Sequence, residues 1–373
     1  MKVFITIPWF LPAYKAGGPI QSVANLINNF TDNVEYYIFC GDVDLNNEPL
    51  TNITKGAWLS YNNHTKIWYA PKENLSQTLA SQIENLKPEI IYIIGLFNWH
   101  FNIVPLLFSK AEKKILSVRG MLHPGALTQK KLKKRIFLHV LKLFNVSDKV
   151  IFHATDKVEE TFIKNEFSAK SKVVIAGNFA RNMIRNIPLE KNAGFLKMVT
   201  IALISPMKNH LLVLKALMLC TENICYNIYG PVKESQYWEE CITQIKLLPK
   251  NITVQYHGEI LPEKVNNILA ENHLFIMPSK SENFGHALAE ALASGKPVIT
   301  SHNTPWNELL QNKAGINVES TEKYIHEAIR FFASLNNEEY KEYAEGAGNY
   351  SDNKLNSSKK INAYKNLFSI NNK

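Results

Sequence analysis

Two glutamates set eight positions apart, Glu282 and Glu290, are the residues in this chain whose type and spacing first suggest chemistry. A carboxylate accepts two hydrogen bonds from a vicinal diol, so Glu290 can hold a ribose and Glu282 a sugar hydroxyl. Eight positions is slightly more than two helical turns, which lets both face one ligand. The residues around them supply a helix: Ser281 to Asn283 are cap-forming types, Ala287 to Ser294 is a strong helix former, and Gly295 stands in the closing position. A helix expected from near Phe284 turns its free N–H groups and positive dipole end towards a ligand, and Gly285 lets that ligand approach the backbone. The plainer reading makes Glu282 a charge that complements the dipole and Glu290 a solvated side chain. Two isolated glutamates would be read that way, but Glu290 lies in a segment apolar nearly all round, where a carboxylate needs a partner.

Lys208 stands in ISPMKNHLLVLKAL, which follows an expected strand and opens a helix. A cation near a helix start is unfavourable unless an anion binds there, so Lys208 is a candidate anion ligand rather than a solvated lysine. Asn98, Trp99 and His100 follow another expected strand end, where they can meet a sugar by hydrogen bonding and stacking. Gly17 and Gly18 follow the first strand's loop, with Pro19 expected at the first position of a helix. This is not the G-x-G-x-x-G fingerprint, and alone it reads as a turn.

The elements that position these residues alternate. VFITIP, EYYIFC, KIWYA, EIIYIIG, KILSV, KVIFHA and KVVIAG read as short buried strands in the first half, and MVTIALI, CYNIYG, ITVQYHG, LFIMP, PVITS and GINV in the second. Helix-period segments separate them, which predicts parallel α/β architecture in two units. The polar, aperiodic stretch 181–194 is the expected join. The expected domains are 1–185, joined by a C-terminal helix at about 350–373, and 186–349. At 373 residues, 46% hydrophobic and 20% charged, the chain has the composition of a packed globular protein, which excludes disordered and low-complexity classes. No apolar run reaches the roughly 20 residues that span a bilayer. Cys40, Cys220, Cys225 and Cys241 make neither a disulfide framework nor a zinc pair, so reduced thiols and a cytoplasmic location are expected. The +9 balance suits anionic partners. It is concentrated at Lys130, Lys131, Lys133, Lys134 and Arg135, on an expected amphipathic helix at about 128–145 that reads either as a contact for an anionic membrane surface or as a packed helix with solvated lysines. No nucleic-acid module pattern accompanies the charge.

Ser281-Glu282-Asn283-Phe284-Gly285 with Glu290, then Gly295-Lys296-Pro297-Val298, resembles the donor-sugar motif of retaining glycosyltransferases with the GT-B fold, group 1 or family 4. The resemblance runs from Gly17-Gly18 to Thr304-Pro305-Trp306. It implies two Rossmann-like domains facing each other across a deep cleft, and transfer of a sugar from a nucleotide diphosphate donor with retention at the anomeric carbon. It implies that Gly18, Lys208, Glu282, Asn283, Phe284, Gly285 and Glu290 bind the donor, Lys208 gripping the diphosphate. Trp99, His100, Arg119 and His123 would face the acceptor, and Lys208, Glu282, Arg119 and His123 would carry the chemistry. Two positions depart from the family pattern. Leu203 stands where an arginine is usual, and Arg119 where many relatives place a histidine; an arginine is a poor proton acceptor, so His123 is the substitute base, or else a cap of the turn at Pro124. The resemblance implies neither a metal nor another cofactor. A glycan or lipid-linked glycan acceptor, surface polysaccharide or lipopolysaccharide assembly, and a location at the inner face of a membrane complete the expectation. The alternatives are a nucleotide-sugar epimerase or a non-catalytic nucleotide-sugar-binding protein on the same fold, or a basic membrane- or nucleic-acid-binding module.

Overall fold

The computed structural model describes residues 1–128 and 131–369. Of the expected basic helix, Lys130 lies outside the described residues, as does the side chain of Lys131; the last four residues of the expected C-terminal helix lie outside them too. The chain divides into two compact units, one of Met1–Phe179 with Ser357–Lys373 and one of Ala180–Asn356. The join therefore falls at the start of the aperiodic stretch, and the chain returns to the first unit only with its final helix, Ser357–Phe368.

In the first unit the strands are β1 (Lys2–Thr6), β2 (Glu35–Gly41), β3 (Trp58–Asn62), β4 (Thr65–Ala70), β5 (Ile90–Ile94), β6 (Lys113–Ser117), β7 (Ile151–Ala154) and β8 (Val173–Ile175). They form one sheet in the order β3-β4-β2-β1-β5-β6-β7-β8, parallel apart from the β3–β4 pair. Alternate residues feed two cores, as a sheet covered on both faces requires. Val3 and Ile5 of β1 and Tyr92 of β5 pack with Ile20, Val23, Ile27, Tyr364 and Leu367 from the first and last helices. Phe4, Ile91 and Ile93 pack with Leu79, Leu138 and Ile163 on the other face. All seven strands expected in this half are present, and the addition is β3, a half-exposed edge strand with a register shift between Ser60 and Asn62.

The second unit carries β9 (Phe195–Ile201), β10 (Asn223–Tyr229), β11 (Ile252–Tyr256), β12 (Leu274–Met277), β13 (Val298–Ser301) and β14 (Gly315–Val318). Its sheet runs β11-β10-β9-β12-β13-β14, parallel throughout. The order places β9 and β12 side by side at the centre, so the loops that leave their C-terminal ends meet. In open parallel sheets that edge holds ligands.

Candidate functional site

The loop after β12 runs from Pro278 to Gly285 and ends in a left-handed cap. Gly285, at φ 74°, precedes the helix His286–Ala293, which starts two residues later than the sequence predicts. The displacement has a local cause: a Cβ on residue 285 would sit 3.0 Å from Leu288 Cδ1 and 3.5 Å from Trp306 Nε1, in a backbone conformation that L side chains rarely adopt. No side chain caps this helix. Its positive dipole end favours an anionic acceptor. The loop is fixed from below: Trp306 Nε1 donates to the Phe284 carbonyl at 2.6 Å, its ring meets Phe284 edge to face, and Glu282 N donates to Asn303 O at 3.1 Å.

The segment after β9 meets it. Gly230, at φ 137°, lets the ends of β9 and β10 approach so closely that a Cβ there would lie 1.9 Å from Ala202 O. Ile204 N donates to Pro231 O and Lys233 N to Ile204 O, which pins the turn that carries Lys208. Lys280 N donates to Met207 O at 2.9 Å and Asn209 Nδ2 to Pro278 O at 2.8 Å, so the two loops form one platform. On it Lys208 Nζ donates to Glu282 Oε1 at 2.5 Å. Lys208 and Glu282, 74 positions apart in sequence, are therefore a coupled pair rather than two independent ligands. The neighbouring His210 is buried, and burial together with the Lys208 charge pushes its ring down to about 3, so it stays neutral.

Glu290 is buried in the helix His286–Ala293, on the side facing Arg181. Burial raises its carboxyl above the ordinary range, and the Arg181 guanidinium, with Nε at 3.5 Å from Oε1, opposes that rise. Arg181 also donates to Pro262 O at 2.8 Å. Sequence reasoning missed this arginine because it stands in the aperiodic stretch read only as a join. A buried carboxylate asking for a cation was the one signal that could have found it. Glu282, Asn283, Phe284, Gly285, Glu290 and Lys208 thus share one unit, with Arg181 added. Together they present a helix N-terminus, two cations and two carboxylates, the groups that a phosphate bearing a polyhydroxyl chain would need.

The remaining candidates lie in the first unit. Gly17, at φ 77°, caps the helix Gly18–Asn29 without a side-chain bond, so Gly18 is the first helical residue and Pro19, expected there, is the second. Space around Gly17 is open, and Asp44 Oδ2 holds the approach by accepting from the amides of Tyr14 and Lys15. Arg119 is turned inward. Its Nη1 donates to Asn178 Oδ1 and its Nη2 to Tyr92 OH at 2.8 Å, so two nitrogens expected to face a sugar are spent within the unit. His123 Nδ1 accepts from Gly125 N at 3.1 Å, the turn-capping arrangement, which leaves its proton on Nε2. Trp99 is 52% exposed just beyond β5, and His100 Nδ1 bonds Ser76 Oγ at 2.7 Å. Among the described residues no group of three His, Cys, Asp or Glu side chains could hold a metal ion, and no helix is long and apolar enough to cross a membrane.

Residues 180–361 match the family model of Glycosyl transferases group 1, a span that coincides closely with the second unit. None of the curated proteins is similar enough in sequence to count as a relative. Solved structures similar in fold include HepE of Anabaena in complex with UDP-glucose, at TM-score 0.73 and 14% identity over 99% of this chain and 100% of that one. Sucrose-phosphate synthase of Thermosynechococcus elongatus follows at 0.72 and 15% identity over 98% of each. WaaG, a glycosyltransferase involved in lipopolysaccharide biosynthesis, gives 0.69 and 12% over 99% of this chain and 100% of that one. The fold of this chain is that of the GT-B glycosyltransferases, with two Rossmann-like units.

Proposed function

We propose that this chain, a GT-B protein whose second unit carries the group 1 glycosyl transferase domain, is a retaining glycosyltransferase that moves a sugar from a nucleotide diphosphate sugar to a glycan or lipid-linked glycan in surface polysaccharide assembly. The observation that carries the reading is the Lys208–Glu282 pair at an uncapped helix N-terminus, with the buried Glu290 in the same helix. As the bond between the anomeric carbon and the β-phosphate oxygen breaks, negative charge grows on the leaving diphosphate. Lys208 and the amides near Phe284 and Gly285 stabilise that charge. In the free protein Glu282 holds Lys208; a bound donor takes over the ammonium, and the released carboxylate accepts from a sugar hydroxyl. Glu290, with Arg181 behind it, accepts from the ribose diol. Gly17 and Gly18 give the donor phosphate and acceptor close access to backbone, and Trp99, His100 and His123 meet the acceptor.

Retention follows from attack on the face that the diphosphate leaves, the acceptor proton passing to a phosphate oxygen. No protein base is then required, which fits an Arg119 committed to Asn178 and Tyr92. No step needs a metal. HepE holds UDP-glucose, so UDP sugars are the first donors to try. WaaG acts in lipopolysaccharide biosynthesis, which together with the basic helix Lys131–Leu143 motivates a lipid-linked acceptor met at the inner face of an anionic membrane.

The test is product analysis by NMR after incubation with UDP sugars and a lipid-linked glycan. The reading predicts a new glycoside with the donor's anomeric configuration, and a kcat about 10²- to 10³-fold lower for Lys208→Met, the loss typical when one charge-stabilising donor is removed. An inverted product would refute retention. Turnover of the donor without any acceptor would favour an epimerase or a hydrolase instead.

A further inference from the structure

The helix Lys131–Leu143 buries one side and leaves apolar residues on the other. Leu138 and Leu141 are buried in the first unit's core. Leu132, Ile136 and Leu143 are 73%, 57% and 69% exposed. These three lie on one line along the helix, since steps of four and eleven residues are close to whole turns. Solvated lysines on a packed helix would explain the charge but not this outward aliphatic line.

Beside that line lies a cavity of about 350 Å³, lined by Lys134, Arg135, His139 and Lys142 of this helix and by Glu166 of the helix Lys157–Glu166. Three cations and an imidazole thus face one carboxylate. Lys142 Nζ is paired with Glu166 Oε1 at 2.6 Å. Lys134 Nζ donates to Ala126 O at 2.6 Å and sits 5.2 Å from the centre of the Phe97 ring. The side chains of Arg135 and His139 have no hydrogen bond or ion pair with another described residue. Arg135 therefore offers a complete guanidinium fork at the rim of a cavity with a surplus of positive charge, the chemistry that binds a phosphate oxygen pair.

We propose that this cavity seats the phosphate of an anionic phospholipid headgroup while Leu132, Ile136 and Leu143 enter the acyl boundary. The inference rests on the membrane reading given above and names the residues that make the contact. Charge complementarity selects an anion, and the adjoining aliphatic line selects one attached to a bilayer: a soluble phosphate ester leaves the line in water.

Flotation of the full chain with vesicles of phosphatidylcholine, alone or mixed with phosphatidylglycerol, tests this. Binding is expected only to the mixed vesicles. Arg135→Gln weakens it by about fivefold, the effect of one cation near an anionic surface, and Ile136→Ser weakens it at unchanged charge. Lys323→Gln, which removes an equal charge from an exposed site in the second unit, leaves it unchanged. Equal losses for Arg135→Gln and Lys323→Gln would mean diffuse attraction and overturn the cavity. Unchanged binding by Ile136→Ser would overturn the aliphatic contact. Saturable NMR shifts of His139 with glycerol phosphate, in a chain that binds no vesicle, would make the site one for a soluble phosphate and overturn the lipid. Thermal stabilisation by UDP is read alongside on every variant. If it is missing while vesicle binding follows the expected pattern, the transferase reading fails and the headgroup site stands.

Discussion

Glu290 is held in the helix His286–Ala293 at a cost. Its carboxyl is buried, and burial raises it above the ordinary carboxylate range despite Arg181. A group whose folded value lies above its unfolded value favours folding in its protonated form, so the ionised form subtracts stability as pH rises through the folded value. Glu290→Gln is therefore expected to melt above the wild type at pH 7, with the difference shrinking as pH falls to the ordinary carboxylate range and below. The same variant should bind the donor less well at pH 7, because an amide offers a diol one acceptor oxygen where a carboxylate offers two. Melting curves at several pH values check the first statement and donor titration the second; a variant less stable than wild type at pH 7 would show that the Arg181 pairing outweighs burial. The sequence made Glu290 visible through its apolar neighbours, and the motif made Lys208 visible. It did not show that Lys208 and Glu282 bond each other, since a contact across 74 positions depends on β9 and β12 being neighbours in the sheet.

The loops depend on the strands that launch them, and on the glycines that let them turn. Gly285→Ala places a Cβ at φ 74°, 3.0 Å from Leu288 Cδ1, for an expected cost of about 1–2 kcal/mol from the left-handed conformation alone. The helix start is then expected to shift, and donor affinity to fall together with Tm; an unchanged affinity would separate the cap from the site. The thirteen strands read from sequence are all present: β1, β2, β5, β12 and β13 are short apolar runs buried on both faces, and β8, β10 and β11, though partly exposed, keep their β-branched and aromatic residues. β3 escaped because Trp58, Leu59, Ser60 and Tyr61 form an exposed or half-buried edge without a continuous apolar run. Arg119 shows a different limit. Its position after β6 was legible, but its direction was not: at φ 50° the backbone turns the side chain towards Tyr92 and Asn178, a local geometry that residue type does not announce.

At the scale of the whole molecule the chain leaves the first unit at Phe179 and returns at Ser357. Both crossings are anchored within the first unit: Asn25 Nδ2 donates to Phe179 O at 3.0 Å, and Tyr364 of the returning helix stacks on Phe179 with ring centres 5.3 Å apart. The two-unit organisation was readable from the βα rhythm, whereas the exact crossing depends on contacts such as these between distant segments. Every donor-binding group proposed here except Gly17 and Gly18 lies in the second unit, so a nucleotide diphosphate should stabilise the chain chiefly through it. The most direct measurement is thermal unfolding with saturating UDP, GDP, dTDP and CMP, for the wild type and for Glu290→Ala. One nucleoside diphosphate, with UDP the first expected, should raise the wild-type Tm and leave that of Glu290→Ala nearly unmoved. No shift from any of them, or an equal shift in the variant, would contradict a nucleotide site built on Lys208, Glu282 and Glu290.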